Sequence, residues 1–222
     1  QRGSFEQRGR RPTMKVVIVD YQLGNLFSVA SALRHLGHEP IIDLDGGQIR
    51  EGCLVILPGV ASFGEGVRNL QASGQFLALL ERAQLQRPII GLCLGAQLLF
   101  ESSDESPGEG GLSLLQGGVK RLRKEHYRVP HQGWSRIHAT DSCPKGLRTH
   151  PSSSKWFYFS HSFRIEPLDS NTTWMEAKSS AEPISAVVGK GNVVGIQFHP
   201  ERSGQHGVSF LGQVIDSVQT GF

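Results

Sequence analysis

The chain has 222 residues, of which 38% are hydrophobic and 19% charged, and its formal net charge is +3. That length holds one large domain or two small ones with a real core, and that balance excludes a disordered chain. The three scattered cysteines, Cys53, Cys93 and Cys143, exclude a disulfide framework or a paired-cysteine zinc site and point to a reducing compartment.

The charge sits at the front. Residues 1–13 carry Arg2, Arg8, Arg10 and Arg11 against Glu6, so the chain from Met14 onward is balanced. We expect a basic arm over 1–13, an extension ahead of a natural start at Met14, and one domain over 14–222. The arm has no long apolar stretch of the secretory kind. It has no interleaved aromatics and no groove-reading motif, so nucleic acid is not the expected partner. No apolar run is long enough to cross a bilayer as a helix, so a cytoplasmic protein is expected.

Lys15–Asp20 (KVVIVD) reads as a buried strand ending at an acidic turn. Leu26, Val29, Ala30, Leu33 and Leu36 have helical spacing, with Gly37 as the stop. Cys53–Gly59 (CLVILPG) and Pro88–Cys93 (PIIGLC) are two more strand-to-turn units, the second leading into an apolar helix from about Leu94. Helical patterns lie between the strands. This alternation predicts an α/β fold with an open, mostly parallel sheet flanked by helices. Beyond Lys120 the character changes: WFYFSHSF and ISAVVGKGNVVGIQF look like β-hairpin material, the latter turning at Lys190–Asn192. Val208, Leu211, Ile215 and Val218 mark a final helix.

Three of the strand ends carry glycine-rich turns: DYQLGN, LPGVASF and GLCLGA. In open α/β sheets such ends gather the ligand sites. The third, Gly91-Leu92-Cys93-Leu94-Gly95, has the form of a nucleophile elbow with cysteine in place of serine. Glycines two residues either side relieve a tight strand-to-helix turn. The helix N-terminus favours a thiolate, and the Leu94 N–H faces an oxyanion formed at the attacked carbon. The alternative is a small buried hydrophobe, the usual fate of a free cysteine.

A cysteine nucleophile needs a base, and the base an orienting group. In GNVVGIQFHPERSG a strand-like run ends at Phe198 and His199-Pro200-Glu201 follows. Pro200 pushes His199 towards extended geometry, so His199 and Glu201 project to one side and the carboxylate can fix the imidazole tautomer. The alternative is a turn histidine beside a solvated glutamate. His161 and His131 are rivals, neither with a carboxylate two residues away. No metal-binding histidine spacing, phosphate loop or dinucleotide fingerprint is present, so neither a metal nor a cofactor is expected.

Together, GLCLGAQLL and GIQFHPERSG resemble the class I, triad-type glutamine amidotransferases. DYQLGN, LPGVASF, PHQGW (130–134) and YFSHSF (158–163) are similar to the branch formed by the glutaminase subunits of imidazole glycerol phosphate synthases. The likeness runs from Met14 to the C-terminal helix. It implies a flavodoxin-like α/β glutaminase domain in which Cys93, His199 and Glu201 form a Cys–His–Glu triad. It implies an oxyanion hole from Leu94 and the Gly59–Val60 turn, and a glutamine site using Gln97 and the backbone of Ser162 and Phe163. Trp134 and Arg202 fall where the family meets its synthase, a separate (β/α)8 subunit that receives the ammonia in histidine biosynthesis. A core aromatic and a solvated cation are the alternatives for those two residues.

Four residues depart from the branch's usual pattern. Ala61 replaces the last glycine of PGVG, in a turn thought to switch on activation, and Gln22 replaces a glycine in the first turn. Ser135 replaces an asparagine and Phe163 a tyrosine. A paralogue that aminates another substrate, such as a surface-sugar precursor, and an inactive partner-binding module are the two alternatives to the implied function.

Overall fold

The computed structural model describes residues 13–151, 155–178 and 182–221. The basic arm read over 1–13 lies, apart from Thr13, outside them.

The short β-branched and leucine runs form the centre of the sheet. Among the described residues a nine-stranded sheet runs in the order β2 (Glu39–Asp43), β1 (Lys15–Val19), β3 (Leu54–Leu57), β4 (Ile89–Leu92), β12 (Val193–Ile196), β11 (Ile184–Lys190), β10 (Thr173–Ala177), β7 (His131–Ala139) and β8 (Trp156–His161). The first five are parallel neighbours, and the order 2-1-3-4-12 is the doubly wound, flavodoxin-like arrangement. The rest pair antiparallel. A second sheet of three strands joins β5 (Ser102–Ser103), β6 (Gly117–Arg121) and β9 (Phe163–Pro167).

Strand alternation divides the core in two. Val16, Ile18, Leu54 and Ile56 face helices α1 (Leu26–His35) and α7 (Gly204–Thr220), meeting Val29, Leu33, Leu211 and Ile215. Val17, Val19, Val55 and Leu57 face the other layer, α2 (Gly47–Glu51), α3 (Phe63–Ala72) and α4 (Gln75–Gln84), meeting Ile49, Val67, Leu70 and Leu79. The limits of α1 follow the sequence. The Asn25 side chain accepts from the Ser28 amide at its start. Gly37, at φ +85°, ends it, its N–H bonded to the Arg34 carbonyl and that of His38 to Leu33.

One expectation is corrected and another is refined. The helix after Cys93 is a single turn, α5 (Leu94–Gln97), and does not continue through the apolar Leu98–Phe100. Those three residues are fully buried, but a loop claims their carbonyls: Leu112 N–H bonds to Leu98, Leu114 and Leu115 to Leu99, and Ser113 to Phe100. The segment WFYFSHSF is not one hairpin. It divides at Ser162 into β8, paired with β7, and β9, paired with β6 in the small sheet. The expected turn at Lys190–Asn192 does join β11 to β12, and a four-residue helix, α6 (Lys145–Arg148), lies between β7 and β8.

Candidate active site

The carboxyl ends of β1, β3, β4 and β12 converge on Cys93. This residue has φ 52° and ψ −109°, a region that costs a non-glycine residue roughly 1–3 kcal/mol and persists only when its surroundings enforce it. The enforcement is visible. Its amide bonds to the Ile196 carbonyl at 2.8 Å. A Cβ at Gly91 would overlap the Gly95 carbonyl oxygen, and one at Gly95 would overlap the carbonyl of Leu57. Both glycines are therefore required by close backbone approach. The thiol is buried yet lines a cavity, and a core-filling cysteine needs no such strained backbone. The helix-dipole expectation is weakened, because α5 has only four residues and a macrodipole grows with aligned peptides.

Charge at the thiol comes instead from His199. Its amide bonds to the Tyr158 carbonyl at 2.9 Å, and the Ser203 hydroxyl donates to its carbonyl at 2.6 Å. Pro200–Arg202 then forms a short 3-10 turn that brings Glu201 Oε1 to 2.9 Å from His199 Nδ1, with both side chains buried. Nδ1 thus carries a hydrogen, and Nε2 is the nitrogen left for the hydrogen bond with Cys93. Burial alone would lower the imidazole's pKa. The hydrogen bonds with Cys93 and Glu201 and their negative charge outweigh it and raise the pKa to about 10. At neutral pH the ring is an imidazolium.

The two rival histidines are otherwise engaged. Both nitrogens of His161 are occupied, Nδ1 by the Phe163 carbonyl at 2.8 Å and Nε2 by His131 Nδ1 at 2.9 Å. His131 Nε2 lies 2.8 Å from Ser135 Oγ.

The expected oxyanion donors are not free in this conformation. Leu94 N–H bonds to the Gly59 carbonyl at 3.4 Å, and Val60 N–H to the Leu23 carbonyl at 2.8 Å. Tyr21, whose hydroxyl donates to the Pro58 carbonyl at 2.5 Å, braces the same turn. Ala61 sits here without a positive φ, whereas Gln22 occupies one, at +69°.

The cavity, about 320 Å³, is lined by Val60, Ala61, Cys93, Leu94 and Gln97, by the 160–163 segment, and by Glu105, Pro130, His199 and Arg202. Gln97 Nε2 donates to the Phe163 carbonyl at 3.0 Å and to Gln197 Oε1 at 3.2 Å. Both its N–H groups are used, so its carbonyl oxygen is the part that a ligand could meet. Among the described residues no cluster of His, Cys, Asp or Glu is placed to hold a metal, and no helix is long and apolar enough to cross a membrane.

Comparison with known proteins bears on the family and the fold. The family profile "Glutamine amidotransferase class-I" matches residues 17–215. The chain belongs to the class-I glutamine amidotransferase family. The HisH subunit of imidazole glycerol phosphate synthase from Carboxydothermus hydrogenoformans is 42% identical over 88% of this chain and 96% of its own length. The HisH subunit from Lactococcus lactis is 39% identical over 92% and 99%. Among solved structures, a glutamine amidotransferase superposes with a TM-score of 0.70 at 19% identity, over 89% of this chain and 98% of its own. A PurLQS structure from Thermotoga maritima superposes with a TM-score of 0.68 at 20% identity, over 93% and 100%. At those identities the structures speak for the fold alone.

In this amidotransferase, sequence reasoning missed Glu105. It lay inside a loop read only as polar, SSDESPGEGG, with no spacing to mark it. Its Oε2 accepts from the Phe63 amide at 2.7 Å, at the start of α3, which turns the carboxylate to the cavity wall. Trp134 is 50% exposed, edge-on to Tyr158 and beside His206, so it is no core aromatic. Arg202 lines the cavity with its guanidinium 4.7 Å over the Tyr158 ring.

Proposed function

We propose that the chain is the glutaminase subunit of an imidazole glycerol phosphate synthase. In this reading it releases ammonia from glutamine for a separate (β/α)8 subunit of the histidine pathway, in the cytoplasm. The carrying observation is the Cys93–His199–Glu201 line at the cavity wall, in a chain similar over most of its length to subunits of that name.

The Cys93 thiolate attacks the side-chain amide carbon of glutamine. The His199 imidazolium protonates the amide nitrogen as the C–N bond breaks, so ammonia leaves and a γ-glutamyl thioester remains. Neutral His199 then takes a proton from water, whose oxygen attacks the thioester, and returns that proton to the sulfur as glutamate departs. Glu201 holds the ring and stabilises its charge throughout. Gln97 Oε1 and the Ser162–Phe163 rim hold the substrate. Glu105, the carboxylate among the lining residues, faces the α-ammonium group.

The oxyanion needs two N–H groups, and the resting turn withholds both. Rotating the Gly59–Val60 peptide would withdraw the Gly59 carbonyl from Leu94 and turn the Val60 N–H inward. Val60 stands exposed at the rim, where a docked synthase can drive that rotation. Each such donor is worth roughly 10²–10³ in kcat, so glutamine hydrolysis is slow until the partner binds. Trp134 and Arg202 belong to the docking face.

The test is Cys93→Ala in the assembled enzyme. Glutamine-dependent synthesis disappears while synthesis from free ammonium persists. Normal glutamine-driven turnover in that variant would remove Cys93 as the nucleophile. Failure of the wild-type chain to bind or respond to the synthase would point to a different acceptor.

A further inference from the structure

Three side chains beside the cavity are joined in a line that amide hydrolysis leaves unused. Ser135 Oγ meets His131 Nε2 at 2.8 Å, His131 Nδ1 meets His161 Nε2 at 2.9 Å, and His161 Nδ1 meets the Phe163 carbonyl at 2.8 Å. The last contact fixes every proton. A carbonyl only accepts, so His161 carries its hydrogen on Nδ1 and presents a lone pair at Nε2. That lone pair needs a donor, so His131 is protonated on Nδ1 and accepts at Nε2. Ser135 then donates. Both rings are neutral: burial, then the neighbouring His131, push the His161 pKa down to about 3, and burial lowers that of His131. The line has one direction, from hydroxyl to carbonyl.

The fold departs from regularity to make this line. In a straight strand, residues four apart stand about 13 Å from each other, beyond the reach of serine to histidine. Between them lies Gly133 at φ +134°, a conformation that L side chains rarely adopt. His131 is the register partner of His161 in β7–β8, and its ring stacks on Phe159 at 4.8 Å.

The line ends where the chain changes sheets. β8 closes at His161 and β9 opens at Phe163, so no single ladder spans the corner. Donors from elsewhere hold it: Leu122 N–H on the Ser162 carbonyl at 3.0 Å, and Gln97 Nε2 with His161 Nδ1 on the Phe163 carbonyl. That corner is cavity wall.

We propose that Ser135, His131 and His161 are positioning residues: their line supplies the donor that the buried Nε2 of His161 needs, fixes the ring with its Nδ1–H on the Phe163 carbonyl, and so holds the Ser162–Phe163 rim in the shape that binds glutamine. This rests on the reading that glutamine occupies the cavity. Without a donor at residue 131, His161 keeps its hydrogen on Nδ1 for the Phe163 carbonyl but has a buried lone pair at Nε2 with no donor. The ring then turns in search of one and the rim it holds shifts. The sulfur chemistry at Cys93 is untouched.

The test compares His131→Phe, which keeps a ring on Phe159 but cannot donate, with His131→Asn, whose amide N–H falls near the lost Nδ1–H. Glutamine hydrolysis is measured with the synthase subunit present, and Cys93 alkylation by iodoacetamide on the free chain. His131→Phe raises KM for glutamine about tenfold or more, the loss of one buried hydrogen bond, with kcat little changed. His131→Asn returns KM towards wild type, and alkylation is equal in all three. An unmoved KM in His131→Phe, or equal damage in both variants, overturns the proposal. If His131→Phe does not fold, Ser135→Ala cuts the line at its outer end; a KM rise without a kcat loss supports the proposal, and none overturns it. The ¹⁵N shifts of His161 in the free chain report its tautomer directly, and a hydrogen on Nε2 in the wild type also overturns it. A wild type that fails to hydrolyse glutamine removes the functional reading itself, whereas an active wild type with unmoved variants removes only this one.

Discussion

Gln22 holds φ +69° with its amide bonded to Asp20 Oδ1 at 2.9 Å. Left-handed geometry costs a side-chain-bearing residue about 1–2 kcal/mol, partly offset by the extra unfolded-state freedom of glycine. Gln22→Gly should therefore raise stability by about 0.5–1 kcal/mol, read as a higher urea midpoint with unchanged m. His199 sets a pH dependence. Its pKa rises from 6.5 in a free chain to about 10 in the fold. The stability it contributes is complete below about pH 6.5 and is lost as pH climbs to about 10. Urea midpoints between pH 6 and 10 should fall, and fall less in Glu201→Gln, where the raised pKa loses one of its causes. These two site residues were legible because Pro200 confines the geometry between them. The Ser135–His131–His161 line was not, since it is built across two strands and depends on Gly133.

Arg82 shows what an element can hide. It lies on the buried face of α4, and its guanidinium donates to the carbonyls of Pro88, Ile49, Gly52 and Cys53 at 2.7–3.0 Å. Burial, and then Arg87, lower its pKa to about 10, which still leaves it protonated at neutral pH. One side chain thus closes the end of α2 and aligns the entries to β3 and β4. Arg82→Met keeps the apolar stem and strands four acceptors; it should cost about 2–4 kcal/mol, with Arg82→Lys costing less. Urea unfolding separates the two. Periodicity had no means of finding this residue, because a lone arginine in a helical pattern reads as surface. The same blindness extended the helix through Leu98–Phe100: an apolar run declares burial, and only the 112–115 loop decides that the carbonyls bond outward.

At the scale of the molecule, alternating strands and helices were enough to foresee the parallel half and the edge where its turns meet. The antiparallel wing was less legible, since β7, β10 and β11 find their partners across long stretches of chain. That wing carries Trp134, which is 50% exposed. A half-exposed tryptophan at the proposed docking face would be the usual kind of binding anchor. Trp134→Ala should weaken association with the synthase about 30-fold, near 2 kcal/mol, and leave Cys93 alkylation in the free chain unchanged. Titration calorimetry measures the first and mass spectrometry the second.

On the proposed mechanism, the closed turn at Gly59 also sets a leak rate. Rotating its peptide breaks two backbone hydrogen bonds, the longer at 3.4 Å, and such bonds contribute about 0.5–1.5 kcal/mol each. A gap of about 1–3 kcal/mol leaves roughly one molecule in six to one in a hundred and sixty in the competent shape without any partner. A cell making this subunit in excess of its synthase would therefore lose a steady trickle of glutamine nitrogen, and matched expression of the two chains would conserve it.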